Sequence, residues 1–364
     1  MGALESSGYR LAVLGLTSGE ERTPWESALV SKGRIARLPE PLQTFLRAFY
    51  IGETVDATRL RDALGASLCE ALERSGLIIR DRDHASLGGR VLRVFSGLYL
   101  LGDLWYPGMS SPEDLVYLGD DSYLLGRALD GRPDEDVLDL GTGTGVQGLL
   151  LARRGCGVVA TDVNPRAVEL ARQNAALNGL SSRMDVRCGS FFEPVGGESF
   201  DRIVLDPPFL PFPADLEGGS TFAGGGASGL EPTWEALECA PRHLKPEGEL
   251  LVFAGGFGGR GGPACLSDLD RWSRANGFAS VVVLRSYSKA SDYLREMSER
   301  FPSMEAGLRV VRDTLREQKL SVYHNFFFTA RRRSTPGVTL VAASKTFGDL
   351  VDEARAAGAV GRTP

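Results

Sequence analysis

The densest chemistry in the chain lies at Phe200-Asp-Arg-Ile-Val-Leu-Asp206-Pro207-Pro208-Phe209, where a short apolar run ends in a carboxylate, two prolines and an aromatic ring. Pro207 and Pro208 each remove a backbone donor and fix their own φ, so the carbonyls between them point in set directions. Such a group suits a planar nitrogen, an amide or an exocyclic amine, whose lone pair is delocalised into its π system. Hydrogen bonds from its N–H groups to the Asp206 carboxylate and the Pro207 carbonyl favour a more tetrahedral nitrogen with a freed lone pair. They strengthen as positive charge develops, which is where stabilisation raises rate. Phe209 would stack on the planar group and aim it at an electrophile. In-line positioning of the two reactants would supply most of the acceleration.

A second group, Asp139-Leu-Gly141-Thr-Gly143-Thr-Gly145, ends one apolar run and opens another. Glycines there allow a tight turn and let a ligand approach the main chain. Gly143, Gly145 and Gly148 also satisfy the GxGxxG spacing of dinucleotide-binding folds, so the loop alone leaves the cofactor open, and a plain strand-to-helix turn is the bland alternative. Asp162 can accept both hydroxyls of a ribose in either cofactor reading. Asp139 favours a ligand with an ammonium, because a pyrophosphate would be repelled by its charge.

The elements around these groups alternate. Apolar strands are expected at 136–140, 157–162, 184–188, 201–205 and 249–254, with helices at 146–154 and 165–178, the latter carrying Pro165 in its first turn. Such alternation predicts a parallel sheet covered on both faces. Two further β-rich runs, 279–287 and 320–330, flank a charged amphipathic helical insertion at about 289–319 that could form a lid. The glycine-rich stretches 218–229 and 255–262 follow the fourth and fifth strands, at the edge where ligands bind in such folds.

Residues 1–102 read as a smaller N-terminal α+β unit, 103–120 as a connector and 121–364 as the main domain. In the first unit, Leu42, Phe45, Leu46, Phe49 and Tyr50 form one helical stripe. Asp56 is a candidate N-cap for a helix over 57–64, and a third helix spans 67–74. Strands at 77–80 and 90–95 would complete a hairpin, giving a winged-helix-like unit or a plain helical cap.

At 364 residues, two folded units are the default. The net charge of −6 gives no general support to nucleic-acid binding. Cys69, Cys156, Cys188, Cys239 and Cys265 show no CxxC pairing, so neither zinc nor a disulfide framework is expected, and no metal is assigned. No apolar stretch reaches membrane-spanning length and the first residues are no signal peptide, so a cytoplasmic chain without membrane contact is expected. His84, His243 and His324 lack partners at metal or triad spacing and read as structural, with His324-Asn325 placed to line a pocket. The run Arg331-Arg-Arg333 reads as a solvated loop rather than an RNA contact.

From about residue 120 to 330 the chain resembles the class I S-adenosylmethionine-dependent methyltransferases, in the branch with an Asn/Asp-Pro-Pro-aromatic motif. Within it the chain is similar to protein-release-factor glutamine methyltransferases and to ribosomal RNA and adenine amino-methyltransferases. The likeness rests on Asp139 to Gly145, Asp206 to Phe209, Asp162 with Asn164-Pro165, Asn174 with Asn178, and the stretch from Phe222 to Leu230. It implies an α/β, Rossmann-like, seven-stranded sheet with its last strand antiparallel and S-adenosyl-L-methionine as cofactor. By resemblance, Gly141, Gly143 and Gly145 cradle the methionine portion, whose ammonium Asp139, just ahead of the loop, would reach. Asp162, followed by Asn164, holds the ribose. Ser190 and Phe191 flank the adenine, and Tyr117 and Asp120 close over the cofactor.

Two departures leave the acceptor open. Asp206 stands where release-factor enzymes usually carry Asn, and Gly189-Ser190 stands where the family often has an Asp. Ser190 offers the adenine only a neutral hydrogen bond. The expected activity is N-methylation of an amide or exocyclic amine in protein or RNA. A small-molecule methyltransferase and a winged-helix regulator that only senses the cofactor are the rivals. Homodimerisation through the N-terminal unit is a further expectation.

Overall fold

A computed structural model describes residues 9–16, 33–105, 109, 114–209, 224–226 and 228–342. The glycine-rich stretch at 218–229 therefore lies largely outside the described residues.

The N-terminal part begins with α1 (Tyr9–Leu16) and α2 (Glu40–Phe45), which continues as a π-helical turn, Leu46–Ile51, stopped by Gly52 at φ +81°. Of its apolar stripe, Phe45, Leu46, Phe49 and Tyr50 are buried and Leu42 is half-buried, and Phe45 stacks on Phe49 at 4.9 Å between ring centroids. After β1 (Val55–Asp56), the Asp56 side chain caps α3 (Ala57–Leu64) by accepting from the Arg59 N–H at 2.9 Å. Then follow α4 (Ala66–Arg74), β2 (Ile79–Asp81) and β3 (His84–Ser86). These strands form a small antiparallel sheet in the order β1-β3-β2.

The expected pairing of 77–80 with 90–95 is not what forms. The chain reverses at once through Arg82 (φ +51°), so β2 pairs with β3. β4 (Arg90–Phe95) instead pairs with β5 (Leu98–Asp103) across Ser96 and Gly97, both at positive φ. This hairpin is a shared layer, because alternate residues of a strand face opposite ways. Tyr99 and Leu101 pack into the N-terminal core, whereas Leu98 and Leu100 pack into the main one.

The main sheet holds β6 (Asp136–Leu140), β7 (Gly157–Asp162), β8 (Met184–Cys188), β9 (Phe200–Leu205), β10 (Leu244–Gly259), β11 (Gly262–Pro263), β12 (Phe278–Lys289), β13 (Val322–Arg332) and β14 (Gly337–Ala342). Their order is β14-β12-β13-β10-β9-β6-β7-β8, with β11 on β10. The expected seven-stranded methyltransferase sheet is β8-β7-β6-β9-β10-β13-β12. In it β13 is antiparallel to both neighbours, while the strands from β8 to β10 are parallel. β11 and β14 extend it to nine strands.

Helices cover both faces. α5 (Asp120–Ala128), α6 (Val146–Arg153) and α7 (Pro165–Leu177) enclose one core, and α8 (Glu231–His243) and α9 (Leu266–Asn276) the other. β6 is buried on both sides, with Val137, Leu138 and Leu140 at 0% exposure, as a central parallel strand requires. The insertion forms α10 (Ala290–Arg300) and α11 (Glu305–Glu317), whose apolar faces close a fourth cluster with Trp105, Phe257 and Tyr323. No helix among the described residues is long and apolar enough to cross a membrane.

Two local expectations are corrected. The glycines at 255–259 belong to β10, where they pair with β13 as far as Gly258↔Val322, instead of following the end of the strand. Arg331 and Arg332 sit in β13. Arg331 pairs with the buried Glu249 at 2.8 Å, and Arg332 donates to the Pro241 carbonyl at 2.7 Å and lies over the Phe278 ring. Neither is a solvated loop residue.

Candidate active site

At the carboxyl edge of the sheet, β9 ends at Leu205 opposite Val252, while β10 runs on to Gly259. The divergence opens a cavity of about 730 Å³. Its walls include Gly141, Gly143, Asp162, Asn164, Ser190 and Phe191 on one side and the whole of Asp206, Pro207, Pro208 and Phe209 on the other. Tyr117 and Asp120 line it from the segment ahead of β6.

The glycine turn is shaped by backbone geometry. Gly141 and Gly143 have φ of +65° and +54°, and a Cβ on either would meet nothing within 4 Å, so both present bare backbone to open space. Gly145, at φ +84°, lies against Ala171 and Met184 instead, so it serves packing and does not line the cavity. Asp162 braces the turn: its Oδ2 accepts from the Gly143 N–H and its Oδ1 from the Asn164 N–H, both at 2.9 Å. Burial raises the Asp162 carboxyl above its ordinary pKa.

Asp139 departs from its expected role. It is only 2% exposed and does not line the cavity. Its Oδ2 accepts from Thr142 Oγ1 at 2.6 Å and from the Gly148 N–H at 3.0 Å, so the carboxylate holds the turn from behind. Burial pushes its pKa up to about 6, against the pull of those two donors. Asn164 divides its duties, capping α7 through the Arg166 N–H at 2.9 Å while also facing the cavity. Phe191 sits at φ +41°, a sparsely populated region for an aromatic residue, held in part by Thr161 Oγ1 donating to its carbonyl at 3.0 Å.

The acidic side of the site contains more than Asp206. Ser122 Oγ donates to Asp206 Oδ2 at 3.2 Å, whereas Oδ1 is buried with no hydrogen-bond partner among the described residues. Burial, and then the nearby charge of Asp121, push the Asp206 carboxyl well above the usual carboxylate range. Asp121 is raised by burial too, although the Ser122 N–H and Arg300 oppose the shift. Burial, followed by Asp121, also raises the Tyr117 phenol. Asp120 lies 3.9 Å from Arg300, which links α5 to α10.

The floor under Phe209 is built by an absence. A Cβ on Gly255 would lie 1.9 Å from Tyr323 Oη and 3.1 Å from Phe209 Cδ2, so a glycine is required for both rings to sit over β10. Phe209 meets Phe253 edge-on at 5.8 Å, and Tyr293 of α10 stacks on Tyr323 at 3.5 Å. Asn325 lines the cavity as its position suggested, while His324 points away, with Nε2 at 2.9 Å from the Gly259 carbonyl. His243 stacks on Phe192 and reads as structural.

Sequence reasoning missed Asp121, Ser122, Gly255, Arg285, Tyr293 and Tyr323. The one signal for the first two was the acidic start of α5 beside Asp120. The others come together only through strand register.

Residues 117–259 match the family model described as the methyltransferase small domain. The chain is 33% identical over 233 residues to the release factor glutamine methyltransferase of Geobacter sulfurreducens, covering 57% of this chain and 81% of that one. It is 33% identical over 130 residues to the ribosomal protein uL3 glutamine methyltransferase of Bradyrhizobium diazoefficiens, covering 33% of this chain and 41% of that one. Among solved structures it is similar to a T. thermophilus 16S rRNA methyltransferase determined with AdoMet and guanosine, at 16% identity and a TM-score of 0.40, covering 77% and 64% of the two chains. Identity at this level over four-fifths of the Geobacter enzyme establishes kinship, and the chain belongs to the release-factor glutamine methyltransferase family.

Proposed function

We propose that this methyltransferase uses S-adenosyl-L-methionine to methylate the side-chain amide nitrogen of a glutamine in a protein. The observation that carries the reading is Asp206: one carboxylate oxygen is engaged by Ser122, and the other is buried, without a partner among the described residues, and set in the wall of the cavity that the glycine turn also lines. A buried acceptor without a donor costs stability, about 1–3 kcal/mol, and an incoming N–H removes that cost.

The residues fit the cofactor. Gly141 and Gly143 offer a bare cradle that any side chain would fill, Asp162 stands at the end of β7, and Ser190 and Phe191 line the same wall. When bound, the cofactor supplies an electrophilic methyl group on a sulfonium. The chain's own part is to place and prepare the nitrogen. Asp206 Oδ1 and the Pro207 carbonyl accept its two N–H bonds, which draws the lone pair out of amide conjugation and stabilises the charge that grows on nitrogen. Phe209, held against Phe253 and Gly255, stacks on the amide plane. The ionised Asp206 is the working form, and its raised pKa makes it a stronger acceptor than an ordinary aspartate.

The choice of a protein amide rests on the family, whose relatives bear the names of glutamine methyltransferases acting on a release factor and on ribosomal protein uL3. Incubation with methyl-labelled S-adenosylmethionine and a fractionated lysate tests it. Label is expected in the protein fraction. Label confined to RNA or to small molecules would replace the acceptor, and label in no fraction would remove the catalytic reading.

A further inference from the structure

Arg285 occupies an unusual place in the fold. β12 and β13 pair in register until Leu284↔Phe326 and resume at Ser286↔Asn325, so Arg285 is the extra residue of a β-bulge. A bulge breaks the alternation of the strand and re-aims one side chain, and bulges are over-represented beside active sites. Here the re-aimed side chain lines the cavity.

Among the described residues, no carboxylate lies within ion-pair distance of its guanidinium. Arg285 makes no ion pair and no hydrogen bond with any described residue, and its Nε is buried and unsatisfied. Burial, and then the like charge of Arg127, weaken its hold on its proton, with Asp120 the opposing carboxylate. By contrast, Arg300, the other cation on the cavity wall, has Asp120 at 3.9 Å and Glu296 at 3.6 Å. A half-buried cation with an orphaned donor is costly unless something satisfies it.

We infer that Arg285 is the anchor of an anion subsite in the acceptor half of the cavity, and that the acceptor carries a carboxylate near the amide to be methylated. This deepens the glutamine reading and rests on it for the identity of the amide. A guanidinium without an ion-pair partner among the described residues matches a singly charged, planar carboxylate, which it can grip with two parallel N–H donors. A polyphosphate or nucleic-acid backbone fits poorly. The same cavity is lined by Asp120, Asp121, Asp162, Asp206, Glu235 and Glu296, which would repel a polyanion at close range. The carboxylate can come from an acidic residue beside the target glutamine or from the glutamine's own α-carboxyl, and the two sources are separable.

The test is direct binding in the presence of saturating S-adenosylhomocysteine, so that no turnover is needed. The probes are N-acetylglutamine and blocked tripeptides with glutamine in the centre and glutamate on its amino or carboxyl side, each paired with its uncharged amide analogue. At least one acid is expected to bind about tenfold or more tightly than its amide, in line with a hydrogen bond to a charged group. The preference should fall to about twofold or less in Arg285→Gln and persist in part in Arg285→Lys, while S-adenosylhomocysteine affinity reports that both variants are folded. Which acid wins identifies the source of the carboxylate. Equal binding of every acid and amide, no binding of any probe, or a preference that survives Arg285→Gln would overturn the subsite. An Arg285-dependent preference together with no methyl transfer to any glutamine would keep the subsite and remove the glutamine reading.

Discussion

Ser122 Oγ donates to Asp206 Oδ2 at 3.2 Å, joining the first turn of α5 to the residue that follows β9, 84 positions later in the chain. The bond engages one oxygen of the carboxylate and leaves the other for an acceptor. Asp206→Ala is therefore expected to leave S-adenosylhomocysteine affinity within about twofold while kcat falls by about two to three orders of magnitude. Ser122→Ala should cost about tenfold in kcat, and Ser122→Thr should restore most of it. Calorimetry and steady-state kinetics on the three variants check this. Equal loss of binding and turnover in Asp206→Ala would count against its role.

Asp121 and Asp206 are neighbouring buried carboxyls, and burial holds each above the ordinary carboxylate range, with the Asp121 charge raising Asp206 further. Protonation of Asp206 removes the accepting oxygen, so activity is lost as pH falls through the raised pKa. The acid limb of the rate profile should then lie above the usual aspartate range near 3.9. Asp121→Asn removes the neighbouring charge, which lowers the Asp206 pKa and moves that limb to more acid pH. An unmoved limb in the pH profile of kcat would mean that Asp206 is not the group being titrated.

Gly255 is where β10 passes beneath two rings. A methyl group there would lie 1.9 Å from Tyr323 Oη, so one or both rings must move. Gly255→Ala is predicted to cost about 1–3 kcal/mol of stability by overpacking. It should also raise the KM for the acceptor with little effect on S-adenosylhomocysteine binding. Adding Tyr323→Phe removes the nearest clashing atom and should recover part of both losses in denaturation and kinetic assays.

Asn174 of α7 and Asn178, the residue that caps its C-terminus, bind β5 as a neighbouring strand would. Asn174 accepts from the Leu101 N–H at 2.7 Å and donates to the carbonyls of Leu101 and Thr144, while Asn178 accepts from the Tyr99 N–H at 2.9 Å and donates to its carbonyl at 2.7 Å. Asn174→Ala strands buried backbone groups at about 1–3 kcal/mol each. Because one of them is Thr144 in the glycine turn, S-adenosylhomocysteine affinity should fall with stability. Asn178→Ala, at a half-buried site away from that turn, should cost stability alone.

The parts legible in the sequence were those with short-range signals. The strands from β6 to β9, the helices between them, the Asp56 cap and the Asp206 to Phe209 turn each follow from local periodicity or residue type. The hairpin partner of β4 was misplaced because two adjacent turns compete, and only the positive φ at Arg82 and at Ser96 decides between them. Asp139 was read as facing a ligand because its position shows charge but not direction, and its carboxylate turns inward to Thr142 and Gly148. The roles of Gly255 and Arg285 depend on what the adjoining strand places beside them, and pairing register between distant strands leaves no local trace.

The account turns on the fate of the transferred methyl group. Purified enzyme, S-adenosylmethionine and the labelled protein fraction, followed by proteolysis and mass spectrometry, should place one added methyl on a glutamine side-chain nitrogen. Asp206→Ala should abolish that product in the same preparation. A methyl group found on any other atom, or glutamine methylation undiminished by Asp206→Ala, would contradict it.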